Sequence, residues 1–270
     1  MKVIILPNDK AVAKYAYQLF RDRIDQGINA IGLTTGNTPL KLYEEIAKGF
    51  KRGELDFSGV RAFCSYEFLG ISENDSRSCR RFLEDSLFCN ININPDWIYS
   101  PDALAEDFIT ECQNYEDDMD YLGGVKLQLL GIGRNGRIAF NEPGCSLNCR
   151  AGIVAFANET LDELRTYFPK GESIPKFALS IGIGTIMDSD ECLLLATGVE
   201  KADAIAAMLE GPVSTSCPAS VLQYHNNCTV VIDESAAAKL RRIDFYKSTA
   251  NVEEQAYQYL MNSRKLNGID

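Results

Sequence analysis

Short apolar segments alternate with longer amphipathic segments over most of this 270-residue chain, and this alternation limits the folds open to it. The runs Val3–Leu6, Ala30–Leu33 and Lys126–Gly131 are largely apolar, which is typical of strands buried on both faces. Between the first two, Asn8–Gln26 carries apolar residues at helical spacing, with Asn8 as the candidate N-cap. Such strands separated by helices predict a Rossmann-like α/β fold, with a mostly parallel sheet between two helical layers.

The rest of the chain continues this pattern without an internal repeat or a low-complexity linker, so residues 1–240 are predicted to form a single domain. Residues 241–270 are more polar and predict a C-terminal helical extension, with a charged helical pattern around Val252–Leu266. The further predicted strands are Val60–Ser65, Cys192–Thr197 and Thr229–Ile232, and the further predicted helices are Leu40–Phe50, Arg80–Cys89, Leu104–Leu122, Lys201–Leu209 and Glu234–Lys239.

Charge and hydropathy exclude several classes of partner. The net charge of −11 argues against nucleic acid, because binding to a phosphate backbone needs basic patches. It leaves room for one small phosphorylated ligand, which needs only a few local donors. Apolar runs stay below the ~18 residues that would span a membrane. The apolar run at the N-terminus is also too short for a signal peptide, so a cytoplasmic location is predicted.

The nine cysteines and the single histidine predict packing roles. An odd cysteine count in a chain of this length is not a disulfide framework, and buried free cysteine behaves as a small hydrophobe. Cys145 and Cys149 are spaced C-x3-C, but they lack the second pair of ligands that a zinc site would need. No metal site is therefore predicted, and His225 is expected to pack in the core or at a helix end.

A turn rich in glycine and threonine follows the second predicted strand, over Gly32–Pro39. It precedes a helix, so that its amides and hydroxyls are placed to hold a phosphate at the helix N-terminus. Pro39 suits the first helical turn. The alternative is a plain capped turn in which Thr38 is the N-cap.

A second glycine-rich segment, Leu130–Pro143, follows a predicted buried strand. Gly131, Gly133 and Gly136 meet the G-x-G-x-x-G spacing of dinucleotide-binding turns. That fingerprint also requires a helix directly afterwards, and Pro143 would stop one within a turn or two. In an open α/β sheet, ligands nevertheless bind at the carboxyl ends of strands, which is where this turn is expected to lie.

Together, these two motifs resemble the glucosamine-6-phosphate deaminases, whose hallmark is G-[IV]-G-x-[ND]-G-H-I-[AG]-F-N-E-P. The resemblance covers nearly the whole chain and extends to the blocks Ile174–Gly182, Gly198–Ala202 and Ser220–His225. It implies an amino-sugar enzyme that converts glucosamine 6-phosphate to fructose 6-phosphate and ammonia, without a metal or an organic cofactor. It further implies a hexosamine 6-phosphate or related sugar phosphate as the ligand, and a homo-oligomer.

The resemblance also assigns roles to individual positions. Glu142 matches the acidic member of the family's ring-opening relay, and Asn135 lies where the family has Asp or Asn. Arg165 falls on the phosphate-binding arginine when residues are counted back without gaps from Pro175. The remaining phosphate- or substrate-binding positions implied by the resemblance are Thr35, Gly36, Asn37, Thr38, Gly133 and Lys201.

Two positions of the proton-transfer machinery depart from the family pattern. Tyr66 replaces the aspartate base, and a phenol has an unperturbed pKa of about 10, so it keeps its proton at neutral pH unless a neighbour such as Arg137 lowers its pKa. Arg137 replaces the histidine that protonates the ring oxygen; it cannot act as a general acid near neutral pH, but it could stabilise a developing alkoxide. Glu67 is the other candidate base, although adjacent residues of a strand point to opposite faces.

Two functional hypotheses follow, together with a third, simpler one. The first is a non-catalytic relative that binds a sugar phosphate and regulates or assembles with a true deaminase. The second is an active enzyme with a rearranged base, which the retained Glu142, Asn135, Arg165 and Lys201 would support. The third is a drifting paralogue without a ligand.

Overall fold

A parallel sheet of seven strands forms the centre of the fold. The computed structural model describes residues 1–168, 171–250 and 252. Every strand pair in this sheet is parallel, as expected for buried strands joined by helical crossovers. In spatial order the strands are β1 (Lys2–Leu6), β10 (Cys228–Asp233), β9 (Cys192–Ala196), β6 (Leu127–Leu130), β2 (Ala30–Leu33), β3 (Arg61–Cys64) and β5 (Ile98–Tyr99).

Helices cover both faces of this sheet, so the predicted three-layer α/β fold is confirmed. Successive residues of a strand enter different cores: Leu193 packs with Phe20 and Leu42 on one face, and Leu194 packs with Ile205 on the other. This alternation is the reason that the strands are apolar on both sides. The α-helices within residues 1–240 are α1 (Asp9–Asp25), α2 (Asn37–Lys51), α3 (Cys79–Ser86), α4 (Phe108–Tyr121), α5 (Asn158–Leu164), α6 (Ile183–Met187) and α7 (Ala202–Glu210).

A second, antiparallel sheet of three strands was not predicted. Its order is β4 (Tyr66–Phe68), β8 (Phe177–Ser180) and β7 (Gly152–Ala155). Ser65 alone separates β3 from β4, so the chain passes from one sheet to the other within one residue. Tyr66 pairs with Ser180 in this small sheet. The pairing places the residues after β3 at the carboxyl edge of the main sheet.

Several helix ends differ from the prediction for local reasons. Asn8 caps α1 as predicted, since its side chain accepts from the amide of Ala11 at 3.0 Å. The helix predicted over Leu104–Leu122 begins only at Phe108, because the Asp107 side chain caps it there. The helix predicted over Glu234–Lys239 is a series of turns, in which the side chain of Asp233 accepts from the amide of Ala236. A six-residue segment offers too few helical bonds to outweigh such a local alternative.

Only part of the predicted C-terminal extension can be compared with the structure. Residues 243–250 are helical, whereas the charged pattern predicted around Val252–Leu266 lies outside the described residues beyond residue 252. Within the described ranges, no helix combines the length and the apolarity needed to cross a bilayer. The division into a domain of residues 1–240 and an extension stays a prediction.

Candidate functional site

A cavity of about 650 Å³ lies at the carboxyl edge of the main sheet. Thr34 follows β2, Gly131 follows β6 and Thr197 follows β9, and all three residues line it. Tyr66 on β4 and Phe140 close one side. Ligands of open α/β sheets bind in this position, because the strand ends leave a crevice between loops.

The first predicted motif forms one wall of this cavity. Thr35, Gly36, Asn37 and Thr38 all line it, and α2 begins at Asn37 rather than after Thr38. Gly36 takes a φ of 122°, a conformation that favours glycine. The amides of Asn37 and Thr38 have no acceptors within the helix, so they are available to an anion, whereas Pro39 has no amide hydrogen and the Leu40 amide donates to the Gly36 carbonyl. The Thr38 hydroxyl lies 2.9 Å from that of Thr197 and links this turn to the end of β9.

The charge of the cavity wall differs from that of the whole chain. Although the net charge of the protein is −11, the described residues of the lining include four cationic side chains and two carboxylates. A local excess of positive charge in an acidic protein favours a small anionic ligand over a cationic one. The cationic side chains are those of Arg77, Arg134, Arg137 and Lys201, and the carboxylates are those of Glu163 and Glu200.

Glu163 lies at the centre of this charge cluster, and sequence reasoning did not identify it. One carboxylate oxygen is 2.6 Å from Nη2 of Arg137, and the other is 3.1 Å from Nζ of Lys201 and 3.4 Å from Nε of Arg134. The Glu163 side chain is 12% exposed. Burial opposes its charge, but the charges of Arg137 and Lys201 outweigh burial and lower its pKa. Glu163 is therefore ionised at neutral pH.

Tyr66 points into the cavity. Its hydroxyl accepts from the amide of Thr35 at 3.1 Å and lies 2.8 Å from the Thr34 hydroxyl and 3.0 Å from that of Thr35. Its ring packs against Phe140. Burial, with a smaller contribution from Cys79, raises the pKa of Tyr66, and the hydrogen bonds from the two threonines offset this only in part. The expectation that Arg137 could lower this pKa is therefore not met, because burial dominates and the phenol is neutral.

We expect ultraviolet titration to show that Tyr66 ionises above pH 10. The difference between wild type and Tyr66→Phe should contain no phenolate signal until the pH exceeds the ordinary tyrosine value of about 10. Since the pKa is raised by folding, Tyr66 holds its stabilising contribution below pH 10 and loses it as the pH rises through the folded pKa. A difference signal with a midpoint at or below pH 10 would contradict this environment.

Glu67 points the other way, as the alternation of side chains along a strand requires. It is 2% exposed and does not line the cavity. Its carboxylate accepts from the Ser78 hydroxyl at 2.6 Å and from the amides of Cys79 and Arg80, each at 2.9 Å. Glu67 thus satisfies the N-terminus of α3, which is a structural use of its charge. This arrangement gives no support to its candidacy as the base.

The second motif brings three predicted residues together. The side-chain amide of Asn135 donates to Glu142 at 2.7 Å, and its oxygen accepts from the backbone and guanidinium of Arg137 at 3.3 and 3.4 Å. Arg137 lines the cavity, whereas Asn135 and Glu142 lie behind it. Gly133 also lines the cavity, and a side chain there would collide with the guanidinium of Arg137. A chain of polar contacts therefore runs from the cavity wall to Glu142.

Arg165 is the predicted phosphate ligand that the structure does not bring to the cavity. Its side chain is 66% exposed, pairs with Asp162 at 2.8 Å and is absent from the lining. Glu163 precedes it by two residues, and residues two apart in a helical turn point in different directions. Because Thr160, Glu163 and Leu164 share the inward face of α5, Arg165 faces outward. The sequence signal that could have identified Glu163 is this i, i+3, i+4 spacing.

The remaining polar candidates have structural partners. His225 is buried, with Nε2 3.0 Å from the Ser189 carbonyl and Nδ1 accepting from the amide of Asn227. Cys149 accepts from the amide of Ile183 through its sulfur. Across residues 1–168, 171–250 and 252, no three His, Cys, Asp or Glu side chains are grouped as a metal site would need. The absence of a metal and a cofactor stays a prediction.

Comparison with known proteins shows which family this chain matches. Residues 8–231 match the family of glucosamine-6-phosphate isomerases/6-phosphogluconolactonase. The chain is 42% identical to the glucosamine-6-phosphate deaminase of Cellvibrio japonicus and 40% identical to that of Shewanella woodyi, in each case over 92% of this chain and 94% of the relative. A solved structure of a monomeric glucosamine-6-phosphate deaminase superposes with a TM-score of 0.86 at 37% identity, covering 88% of this chain and 99% of that one. The fold alone is shared with a 6-phosphogluconolactonase from Trypanosoma cruzi, with a TM-score of 0.69 at 18% identity over 89% of this chain and 97% of that one.

Proposed function

This chain belongs to the family of glucosamine-6-phosphate isomerases/6-phosphogluconolactonase, and we propose that it binds a hexosamine 6-phosphate without deaminating it at an enzymatic rate. One observation carries this proposal. The position at which the family resemblance places the base holds the neutral phenol of Tyr66, which faces the cavity and is bonded to Thr34 and Thr35.

The cavity provides what a sugar phosphate would need. The turn before α2 offers helix N-terminal amides to the phosphate, and Lys201 adds a cation on the same wall. Phe68 and Phe140 give an apolar surface for a sugar ring. The volume of about 650 Å³ lies within the usual range for small-ligand sites.

The residues at the positions that the resemblance assigns to the base and the acid, Tyr66 and Arg137, do not supply these groups in active form. Deamination needs a base close to C2 of the sugar and a group that gives a proton to the ring oxygen. Tyr66 is neutral, and Arg137 does not release a proton near neutral pH. Glu163 is a carboxylate, but its lowered pKa and its pairs with Arg137 and Lys201 make it a weak base.

An active deaminase with a rearranged base is the second candidate. The contact chain from Arg137 through Asn135 to Glu142 favours it, because Asn135 and Glu142 retain the polar pair that the resemblance assigns to ring opening. Arg137 would then stabilise the developing alkoxide by its charge rather than by giving a proton. Regulation of a true deaminase, homo-oligomer formation and a cytoplasmic location remain predictions.

Calorimetric binding of glucosamine 6-phosphate, run beside an enzyme-coupled ammonia assay, distinguishes the candidates. We expect binding without ammonia release. Glucosamine, which lacks the phosphate, is the matched control ligand and should bind far more weakly. Ammonia release at an enzymatic rate would establish the second candidate, and no binding of the sugar phosphate would refute the proposal.

Removing the charge of Lys201 should weaken that binding. A charged hydrogen bond contributes about 1.5–3 kcal/mol, so Lys201→Met should raise the Kd for glucosamine 6-phosphate by about tenfold to a hundredfold. Lys239→Met is the control, because Lys239 is a surface lysine that pairs with Asp203 outside the cavity. Equal Kd values for Lys201→Met and wild type would remove Lys201 from the binding site.

A further inference from the structure

Glu163 places a negative charge where an anionic ligand would meet the cations of the cavity. Its two carboxylate oxygens contact Arg137, Lys201 and Arg134, so one side chain pairs with three of the four cations that line the cavity in the described part of the chain. Arg137 and Lys201 are 11% and 20% exposed, and these two contacts are therefore screened less by water than a surface ion pair.

We propose that Glu163 is an internal anion that competes with the phosphate group of a ligand for Lys201 and Arg137, and thereby limits the affinity of the cavity for phosphate monoesters. This inference rests on the proposed function and adds the residue that tunes it. A carboxylate and a phosphate offer the same kind of oxygen acceptors to lysine and arginine. A phosphate that bonds to Lys201 must therefore displace Glu163 or lie beside its charge, and either course weakens binding.

The position of Glu163 allows it to be displaced. It lies on α5, a helix of seven residues that is anchored by Leu164, which packs in the apolar cluster with Phe68 and Phe140. The anchor is apolar and separate from the ion pairs, so α5 can keep its packing while the carboxylate changes partners. A shift of one side chain is sufficient, and the sheet does not have to move.

The test compares phosphate binding in charge variants. Glu163→Gln keeps an oxygen that can accept from Arg137 but removes the charge, and Glu163→Ala removes the side chain. Asp162→Asn is the matched control, because it removes one negative charge from the adjacent residue, which is 67% exposed and pairs with Arg165 outside the cavity. Kd values for inorganic phosphate and for glucosamine 6-phosphate would be measured by calorimetry, after circular dichroism has confirmed the fold of each variant.

We expect both Glu163 variants to bind each probe about tenfold more tightly than wild type, a ratio that corresponds to about 1.4 kcal/mol. Asp162→Asn should bind as wild type does. Unchanged or weaker binding in the Glu163 variants would overturn the inference, and so would an equal gain in Asp162→Asn, which would mean a general charge effect. Stronger binding of inorganic phosphate without binding of the sugar phosphate would support the inference and refute the proposed function. Sugar-phosphate binding that is present but unaltered in the Glu163 variants would refute the inference and support the proposed function.

A measurement on the wild-type protein tests the displacement of Glu163 directly. The NMR chemical shift of the Glu163 side-chain carboxyl carbon, assigned by its absence in Glu163→Gln, should change at saturating inorganic phosphate, because the ligand takes over the cations that pair with Glu163. An unchanged carboxyl shift while phosphate binds would count against displacement.

Discussion

We expect the substitution Glu67→Gln to lower the free energy of unfolding by about 3 kcal/mol, although it only replaces one carboxylate oxygen with an NH₂ group and removes the charge. The buried carboxylate accepts from the Ser78 hydroxyl and from the amides of Cys79 and Arg80. Glutamine would turn an NH₂ group toward these donors and leave at least one buried donor unpaired. Each bond to a charged acceptor contributes about 1.5–3 kcal/mol, and a buried donor left unpaired costs about 1–3 kcal/mol.

Urea unfolding of Glu67→Gln beside the control Glu106→Gln measures this effect. Glu106 is exposed, so its substitution should change stability by less than about 0.5 kcal/mol. The α3 helix should also lose protection from hydrogen exchange in Glu67→Gln, because the carboxylate satisfies its N-terminal amides. Equal stability of the two variants would mean that Glu67 does not hold α3.

The second large effect is a gain of activity. We expect Tyr66→Asp combined with Arg137→His to release ammonia from glucosamine 6-phosphate at least about a hundredfold faster than wild type. General acid and base groups each contribute about 10²–10⁴ to a rate, and this pair restores both types at positions joined to the cavity. The contact between Asn135 and Glu142, the pair that the resemblance assigns to ring opening, is already present.

The double variant Tyr66→Asn with Arg137→His is the matched control. It has the same shape at position 66 without a basic oxygen, so it should release ammonia at least about a hundredfold more slowly than the aspartate variant. The loss of the Tyr66 ring, which packs against Phe140, will lower the stability of both double variants, and thermal unfolding should confirm that each is folded at the assay temperature. Equal activity in the asparagine control would show that position 66 does not supply the base, and an inactive but folded aspartate variant would show that other parts of the site have also changed.

The main sheet could be predicted from the sequence because each of its longer strands contains a continuous apolar run. Leu193 and Leu194 enter opposite cores, so both must be apolar, and the resulting run is visible without any knowledge of the neighbours. The small sheet could not be predicted in this way. Its strands have three or four residues, and β7 alternates between half-buried and exposed positions, so pairing between distant segments defines it rather than local pattern.

In the site as well, features fixed by a local sequence pattern could be predicted, and features that depend on packing against distant segments could not. The turn at Thr35 and the glycine-rich turn at Gly133 follow strand ends, and the end of a strand fixes where they lie. Arg165 and Glu163 belong to a short helical segment, where a shift of two positions exchanges the inward and outward faces. A gapless count of residues carries no information about that rotation, so it selected the outward residue.

The contacts of Tyr66 with Thr34 and Thr35 also bear on how a ligand would associate. These contacts join the turn before α2 to a second sheet, and all their partners belong to the protein itself. Immobilising a side chain on binding costs about 0.5–1.5 kcal/mol, and contacts within the fold order these side chains without a contribution from a ligand. A sugar phosphate would therefore meet a preorganised cradle, and its association rate should be set by diffusion and by the exchange of partners at Glu163 rather than by closure of the turn.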